Sequence, residues 1–347
     1  MSGRELRIGL VYDVFGSYPL RPGAPPDAEA EYEPEATVEG LEAALRRLGH
    51  RPVRLGNAHA LLAAAGKDAL PPLDAALSIA EGYGTRNREA WAPVLLDLLD
   101  IPALGSDPLT LSLSLDKAWT TELVAAAGVP VPAQLSVERP EHLETETLPG
   151  PFPLFVKPRW EGTAKGIGMG SRVGDATALA ERVAWAIARY AQPVLVEAFL
   201  PGAEYTVTVV GNDPPEALPV LQRALEASTG IGLHAVETGG AHDARLSHHA
   251  PGRLDAALEA ELVRLALRAY AALRCRDFAR VDFKLDAEGQ PRFLEINPLP
   301  TFAPDGSFGI LAELAGRTLP ELLADVLGRG LARIRCELGP ARPGPLS

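Results

Sequence analysis

Residues 280–301, RVDFKLDAEGQPRFLEINPLPT, constrain the fold more than any other segment, because they read as a β-hairpin with charge inside both strands. Alternate residues of a strand share a face, so Arg280 and Asp282 should point away from Val281. If the turn leaves an even number of residues unpaired, the face of Asp282 also carries three residues of the second strand: Phe293, Glu295 and Asn297. Two carboxylates and an amide would then converge beside a guanidinium.

These converging groups have the chemistry of a metal site. Mg²⁺, or Mn²⁺ in its place, prefers oxygen ligands and commonly takes one or two carboxylates together with substrate phosphates and water. Asp282, Glu295 and Asn297 supply ligands of that type. The alternative is a surface hairpin whose polar face is simply solvated.

Composition narrows the class of protein and the kind of partner. The chain has 347 residues, of which 47% are hydrophobic and 22% charged, enough for a sizeable core and for two or three structural units. A formal net charge of −12, without a Lys/Arg-rich run interleaved with aromatics, argues against a nucleic-acid surface and favours small-molecule partners. Cys275 and Cys336 belong to no CxxC or Cys/His cluster, so we expect neither a disulfide framework nor a zinc site.

No segment has the sequence of a membrane anchor. The N-terminus, MSGRELRIGLVYDVFG, lacks a long apolar region after its basic residues, and no run of about 18 apolar residues occurs. We therefore expect a cytoplasmic protein with no membrane partner.

Strand and helix patterns alternate over roughly the first 110 residues, which predicts an α/β fold that opens with a parallel, doubly wound sheet. One helix is expected over SLSLDKAWTTELVAAAG, residues 112–128, and the Pro-rich segment after it marks a change of unit. Further strands are predicted at LFVKP, PVLVEAFL and AEYTVTVVG, and a long amphipathic helix precedes the hairpin.

A glycine-rich loop and two glutamates suit a nucleotide. The loop KPRWEGTAKGIGMGS carries four glycines with Lys157 and Lys165, and such N–H and ammonium groups can close over phosphates. It matches neither GxxxxGK[ST] nor GxGxxG, so a flexible surface loop is the alternative. Glu197 and Glu204, in VEAFLPGAEYTV, could accept hydrogen bonds from an adenine amine or ribose hydroxyls, or could be solvated strand ends.

The order of these features resembles the ATP-grasp superfamily and, within it, the D-alanine:D-alanine ligase family. The resemblance runs from LRIGLVYD to about residue 328, and GSDPLTLSLSLDKAWTTELVAAAGVPVP follows the family closely. It implies a Rossmann-like substrate domain at residues 1–112, followed by two ATP-grasp subdomains that sandwich the nucleotide, at 113–195 and 196–332. A tail would occupy residues 333–347, and the habit of the family suggests a homodimer.

The resemblance implies an ATP-dependent ligase that joins a carboxylate to an amine through an acyl phosphate. Arg280 would stabilise the oxyanion of the tetrahedral intermediate. The loop EGTAKGIG would be a mobile lid over the triphosphate, with Glu161, Gly162, Thr163 and Lys165 at its start. The other roles are carried over by position: Lys117 and Lys157 at the phosphates, Glu197 at the adenine edge, Glu204 at the ribose, and Asp282, Glu295 and Asn297 at Mg²⁺.

The segment for the first substrate departs from the family. It usually reads HGxxGEDG, whereas this chain has EGYGTRNRE, with Glu81 in place of the histidine and with Arg86 and Arg88 where an acid and a glycine are expected. We therefore expect an altered amino-acid pocket. The arginines suggest an acyl donor with an extra acidic group, because guanidinium pairs well with carboxylate. The alternative is that both arginines lie on a solvated helix start.

Other positions for the two amino-acid substrates are less clear. Glu31 or Glu33 could supply the acid that grips the amine of the first substrate, and Ser307 falls where a serine binds the carboxylate of the second. The family's NTxPGMT becomes NPLPTF, which places Thr301 at a glycine whose N–H helps to form the oxyanion hole.

The family's xKY motif has no visible counterpart in LEASTGIGLHAVETGGAHDARLSHHAP. His248 and His249 in this segment read as exposed loop residues, because no Cys or carboxylate at ligand spacing accompanies them. A nucleotide-binding homologue without catalysis is the alternative function, against which the intact metal ligands argue. A dinucleotide oxidoreductase is disfavoured, because no GxGxxG follows the first strand.

Overall fold

The computed structural model describes residues 4–20, 22–226, 228–232, 248–249 and 254–338. Its first sheet has four parallel strands in the order β2-β1-β3-β4, as the sequence predicts. The central strands are buried on both faces, which is typical of a parallel sheet between helices. These elements are β1 (Arg7–Tyr12), α1 (Glu35–Arg47), β2 (Arg51–Gly56), α2 (Ala58–Gly66), β3 (Ala75–Ile79), α3 (Trp91–Leu98) and β4 (Ala103–Leu104).

The predicted single helix at residues 112–128 is instead two helices, α4 (Pro108–Leu115) and α5 (Lys117–Ala126). The chain turns at Asp116, whose backbone is extended and whose carboxylate accepts from Trp119 N at 3.3 Å as the N-cap of α5. The same carboxylate is fully buried and accepts from Arg159 Nε at 2.7 Å. The break places Lys117 in the first turn of α5.

A second sheet of four antiparallel strands follows, in the order β5-β8-β6-β7. One helix, α6, covers it, beginning at the Asp175 cap and ending where Ala191 adopts the left-handed conformation. The elements are β5 (Gln134–Val137), β6 (Leu154–Pro158), β7 (Arg172–Val173), α6 (Ala176–Tyr190) and β8 (Val194–Ala198).

The third sheet has six strands, in the order β12-β11-β9-β13-β14 with β10 beside β9, and α7 packs its apolar face against it. The backbone of His248 and His249 forms β12 rather than a loop, and most of the segment searched for an xKY motif lies outside the described residues. The elements are β9 (Glu204–Val210), β10 (Glu216–Ala217), β11 (Leu221–Arg223), β12 (His248–His249), α7 (Ala256–Ala272), β13 (Phe278–Leu285) and β14 (Pro291–Asn297).

The predicted hairpin is formed by β13 and β14, but it contains a β-bulge. Asp282 pairs with Glu295 whereas Phe283 pairs with Phe293, so Leu294 is an extra residue. The expectation that Phe293 shares a face with Asp282 is therefore wrong: its ring is buried against Phe283, with centroids 6.1 Å apart. The bulge lets the second strand bury an aromatic ring while still presenting its acid and amide to the polar face.

The last two helices, α8 (Ser307–Leu314) and α9 (Leu319–Leu338), return to the first sheet. Leu323 and Leu327 of α9 are buried in the same apolar cluster as Leu10 and Leu77. The helix continues to Leu338, beyond residue 333, where the sequence suggested a tail. Within the described ranges, every helix is too short or too polar to cross a bilayer.

Candidate active site

One cavity of about 570 Å³ lies where the three sheets meet, and its volume is typical of a small-molecule site. All the site residues to which the sequence points line this cavity except Arg86 and Arg88. The structure therefore brings together side chains that are up to 276 residues apart, from Glu31 to Ser307.

The polar face of the hairpin forms one wall. Asp282 on β13 accepts from Arg280 Nη2 at 2.9 Å and from Thr206 Oγ1 at 2.8 Å. Opposite it on β14, Glu295 Oε2 lies 3.2 Å from Lys117 Nζ and its other oxygen accepts from Asn297 Nδ2 at 3.2 Å. Burial alone would raise the pKa of Glu295, but the neighbouring Lys117 and Arg280 lower it, so this carboxylate is ionised at neutral pH.

Oxygen donors of this kind fit Mg²⁺. Asp282, Glu295 and Asn297 all line the cavity, and the amide of Asn297 uses its nitrogen on Glu295, which leaves its oxygen for a cation. Among the described residues no cluster of three or more His, Cys, Asp or Glu side chains is placed to hold a metal ion. Two carboxylates and an amide suit a cation that takes its remaining ligands from substrate phosphates.

Two buried lysines are paired with acids in the wall formed by the second sheet and α5. Lys157 Nζ on β6 lies 2.8 Å from Glu197 Oε2 on β8, and both side chains are buried. Lys117 Nζ donates to the backbone oxygen of Glu161 as well as pairing with Glu295. These ammonium groups are the strongest anion-binding groups at this end of the cavity.

Glu204 begins β9 and is held by two cations. Lys284 Nζ lies 3.4 Å from its Oε2 and Arg223 Nε lies 3.7 Å from its Oε1. Burial lowers the pKa of both Lys284 and Arg223. Lys284 lies on β13, two residues after Asp282, whereas Arg223 lies in a three-residue strand that carries no sequence motif.

The loop at residues 161–168 is docked against the segment before α1. Gly162 N donates to Glu31 Oε1 at 2.6 Å, and Lys165 Nζ lies 3.0 Å from Glu31 Oε2 and 2.6 Å from Glu161. A side chain at Gly162 would collide with Glu31, because a Cβ there would lie 2.8 Å from its carboxylate. Gly166 N also donates to Asp27 Oδ2 at 2.8 Å.

Glu31 is an ion-pair residue in this structure. Arg88 Nη2, from the turn before α3, lies 2.7 Å from its Oε1, and both side chains are almost fully buried. Burial would raise the pKa of Glu31, but Arg88 and Lys165 lower it to about 2. Both of its oxygens therefore already accept hydrogen bonds from the chain itself.

Glu33 differs from Glu31 although it lies two residues further along. Its carboxylate accepts from Thr37 Oγ1 at 2.8 Å and bonds to Thr301, both of which are neutral. Burial raises its pKa. Thr301, at the position of the family's glycine, thus contacts an acid, and Ser307 lines the cavity at the start of α8.

Arg86 does not reach the cavity. Its guanidinium lies 4.4 Å from the ring centroid of Trp119, and its Nη1 lies 3.4 Å from Asp116 Oδ2. Of the two arginines predicted to favour an acidic donor, one is therefore on the outside and the other, Arg88, is already paired with Glu31. The sequence missed Glu89, which is next to Arg88 and lines the cavity.

Comparisons with known proteins agree with this arrangement. The family model described as D-ala D-ala ligase C-terminus matches residues 123–328. A D-alanine--D-alanine ligase of Pelotomaculum thermopropionicum is 33% identical over 252 residues, covering 70% of this chain and 76% of that protein. The uncharacterized protein y4sG of Sinorhizobium fredii is 28% identical over 343 residues, covering 93% of this chain and 96% of that protein.

Solved structures support the same fold. A D-alanine--D-alanine ligase from Bacillus anthracis complexed with ATP aligns with a TM-score of 0.70 at 21% identity, covering 96% of this chain and 100% of that one. VanG D-Ala:D-Ser ligase from Enterococcus faecalis aligns with a TM-score of 0.70 at 19% identity, covering 94% of this chain and 100% of that one. The chain therefore belongs to the D-alanine:D-alanine ligase family of ATP-grasp enzymes, and it is an ATP-dependent ligase.

Proposed function

We propose that this protein uses ATP and Mg²⁺ to join the carboxylate of one small molecule to the amine of another through an acyl phosphate. The observation that carries the proposal is the single cavity in which two buried lysines, one arginine and the oxygen donors of the hairpin face one another. Amino acids are the substrates that the family favours, since D-alanine and D-serine appear in the names of its relatives.

The first step transfers the γ-phosphoryl group. An oxygen of the donor carboxylate attacks the γ-phosphorus, the bond to the β,γ-bridging oxygen breaks, and ADP leaves. Lys117 and Lys157 would bind the phosphates, exchanging their present partners Glu295 and Glu197 for phosphate oxygens. Positioning and charge neutralisation account for most of the rate enhancement in such reactions.

Glu197 and Glu204 would hold the nucleoside. A carboxylate accepts hydrogen bonds only, so Glu197 suits the exocyclic amine of adenine and Glu204 suits ribose hydroxyls. Asp282, Glu295 and Asn297 would hold Mg²⁺, which neutralises phosphate oxygens when it is bound. The loop at residues 161–168 would cover the triphosphate, with Lys165 moving from Glu31 to a phosphate oxygen.

The second step forms the amide bond. The amine nitrogen attacks the acyl carbon, the resulting oxyanion collapses, and inorganic phosphate leaves while the nitrogen loses its proton. The guanidinium of Arg280 would stabilise the oxyanion, and Ser307 would bind the carboxylate of the amine substrate.

The test is ADP release with pooled D- and L-amino acids, followed by mass spectrometry of the products. Glu295→Gln should lower ADP release by about 10²-fold or more, because it removes a charge that the transition state needs. Glu288→Gln, in the exposed turn of the same hairpin, should keep full activity. Normal ADP release by Glu295→Gln would contradict the metal-binding role of Glu295. If the unsubstituted chain binds ATP but releases no ADP with any amino acid, the protein is better described as a homologue that has lost catalysis.

A homodimer and a cytoplasmic location stay predictions from the resemblance and the composition. Sedimentation of the purified chain tests the first, and fractionation of the native cells tests the second.

A further inference from the structure

The end of the cavity nearest the first sheet carries two carboxylates that lack a hydrogen-bond or ion-pair partner among the described residues. Glu81 follows β3, and Glu89 lies in the 3₁₀ turn before α3. Both side chains line the cavity, and Glu89 is only 8% exposed. A buried carboxylate that faces a cavity without a partner is a group left for a ligand.

The basic side chains nearby are already engaged. Arg88 Nη2 lies 2.7 Å from Glu31 and 3.5 Å from Glu161, and its Nη1 donates to the backbone oxygen of Trp160 at 2.9 Å. Lys165 Nζ lies between the same two acids, at 3.0 and 2.6 Å. Arg88 and Lys165 are thus paired with Glu31 and Glu161, and neither lies within ion-pair distance of Glu81 or Glu89.

Burial and mutual repulsion disfavour the ionised form of both carboxyls. Burial and the charge of Glu89 raise the pKa of Glu81 well above its usual range. Burial also raises the pKa of Glu89 to about 7, although Arg88 opposes the change. A bound cation would stabilise both carboxylates in their ionised form.

We propose that Glu81 and Glu89 bind the cationic nitrogens of the acyl donor, and that this donor is a basic amino acid with a second ammonium or a guanidinium on its side chain. An α-ammonium supplies one positive charge, whereas two carboxylates face the cavity without a partner. The inference rests on the proposed ligase function and names its substrate class. It replaces the expectation of an acidic donor, because Arg86 lies outside the cavity and Arg88 is paired.

Ornithine and norvaline test the inference directly, since they differ only by the terminal ammonium. Binding of both enantiomers of each to the full chain is measured with Mg²⁺ and a non-hydrolysable ATP analogue. We expect ornithine to bind at least about tenfold more tightly than norvaline, as for a hydrogen bond between charged groups. Glu81→Gln and Glu89→Gln should each weaken ornithine binding, and the variant that loses the partner of the terminal ammonium should reduce the preference over norvaline to about twofold or less.

The surface variant Glu122→Gln is the matched control and should keep the preference, because its side chain is exposed on α5. Equal affinities for ornithine and norvaline, or a preference that survives in both cavity variants, would overturn the inference. So would the absence of binding by every enantiomer of ornithine, lysine and arginine.

ADP release with the same ligands separates the inference from the function on which it rests. If norvaline supports ADP release as efficiently as ornithine, the ligase function stands and the basic donor is wrong. If ornithine binds preferentially but no donor and acceptor pair supports ADP release, the cation site stands and the ligase function is wrong.

Discussion

Replacing Glu31 by glutamine removes the charge that Arg88 and Lys165 share while keeping the shape of the side chain. The pKa of Glu31 falls from its ordinary 4.5 to about 2 in the folded chain. Each pKa unit corresponds to about 1.4 kcal/mol, so the ionised carboxylate stabilises the fold by about 3 kcal/mol at neutral pH. The side chain is almost fully buried, so solvent screening reduces this value little.

The sign of the pH dependence follows from the direction of that change. A carboxyl whose pKa is lowered by folding contributes its stability above pH 4.5, and the contribution is lost as pH falls towards 2. Glu31→Gln should therefore lower the thermal midpoint by about 4 °C at pH 7, given the unfolding entropy of a chain of this length. The difference in thermal midpoint between Glu31→Gln and the unsubstituted chain should shrink steadily as the pH falls from 4.5 to the lowest value at which both chains fold.

Glu33→Gln is the matched control, because Glu33 lies in the same segment and accepts only from neutral donors. Its pKa is raised by burial, so its ionised form destabilises the fold and glutamine should not lower the midpoint at pH 7. Thermal unfolding followed by circular dichroism from pH 3 to 8 gives both comparisons. The ion-pair reasoning would be refuted if Glu31→Gln lowered the thermal midpoint by the same amount at every pH. It would also be refuted if Glu33→Gln lowered the thermal midpoint as much as Glu31→Gln does.

Two further predictions concern a lysine inside the cavity and an arginine outside it. Lys157→Met should weaken ATP binding by about tenfold or more, because it removes the buried ammonium group that we propose to bind a phosphate. The exposed Lys67→Met should not weaken ATP binding, and equal ATP affinities of the two variants in a fluorescence titration would contradict this prediction. Arg86→Ala should change the KM of every acyl donor by less than about threefold, since its half-exposed ion pair with Asp116 is worth about 1 kcal/mol or less. A selective rise in KM for acidic donors would restore a substrate role for Arg86.

Local patterns predicted most of the elements, because each strand and helix buries an apolar face that its own sequence displays. The break at Asp116 escaped prediction, since the residues on both sides favour a helix. What separates the two helices is a contact with Arg159, which lies 43 residues further along the chain. A window of local sequence cannot contain such a contact.

The pairing register of the β13–β14 hairpin could not be predicted from the local sequence either. Alternation correctly placed Asp282 and Asn297 at the cavity, but one inserted residue, Leu294, moved Phe293 to the other face. Packing against Phe283 determines where that bulge falls, and only the tertiary structure reveals it. A period of two applied to the whole strand therefore brought the polar residues to the cavity but put Phe293 on the wrong face.

The ion pairs among the residues around the cavity were harder to predict from the sequence than the strands and helices. The arginine at position 88 suggested an acidic substrate, yet Glu31, which is 57 residues away, takes its charge. Once such internal pairs are removed, two acids remain: Glu81, which the sequence singled out at the position of the family's histidine, and Glu89, which it missed. The charge of one side chain in the sequence therefore does not predict the charge of the substrate, because a distant residue of the same chain can neutralise it.

Helix α9 places the beginning and the end of the chain side by side. His50 accepts from the backbone N of Leu6 at 3.4 Å through one ring nitrogen, while its other ring nitrogen lies 3.4 Å from Arg335 Nη2. Leu323, Leu327 and their neighbours complete the apolar cluster of the first sheet. During synthesis, part of the apolar surface of the first sheet therefore stays uncovered until α9 has left the ribosome.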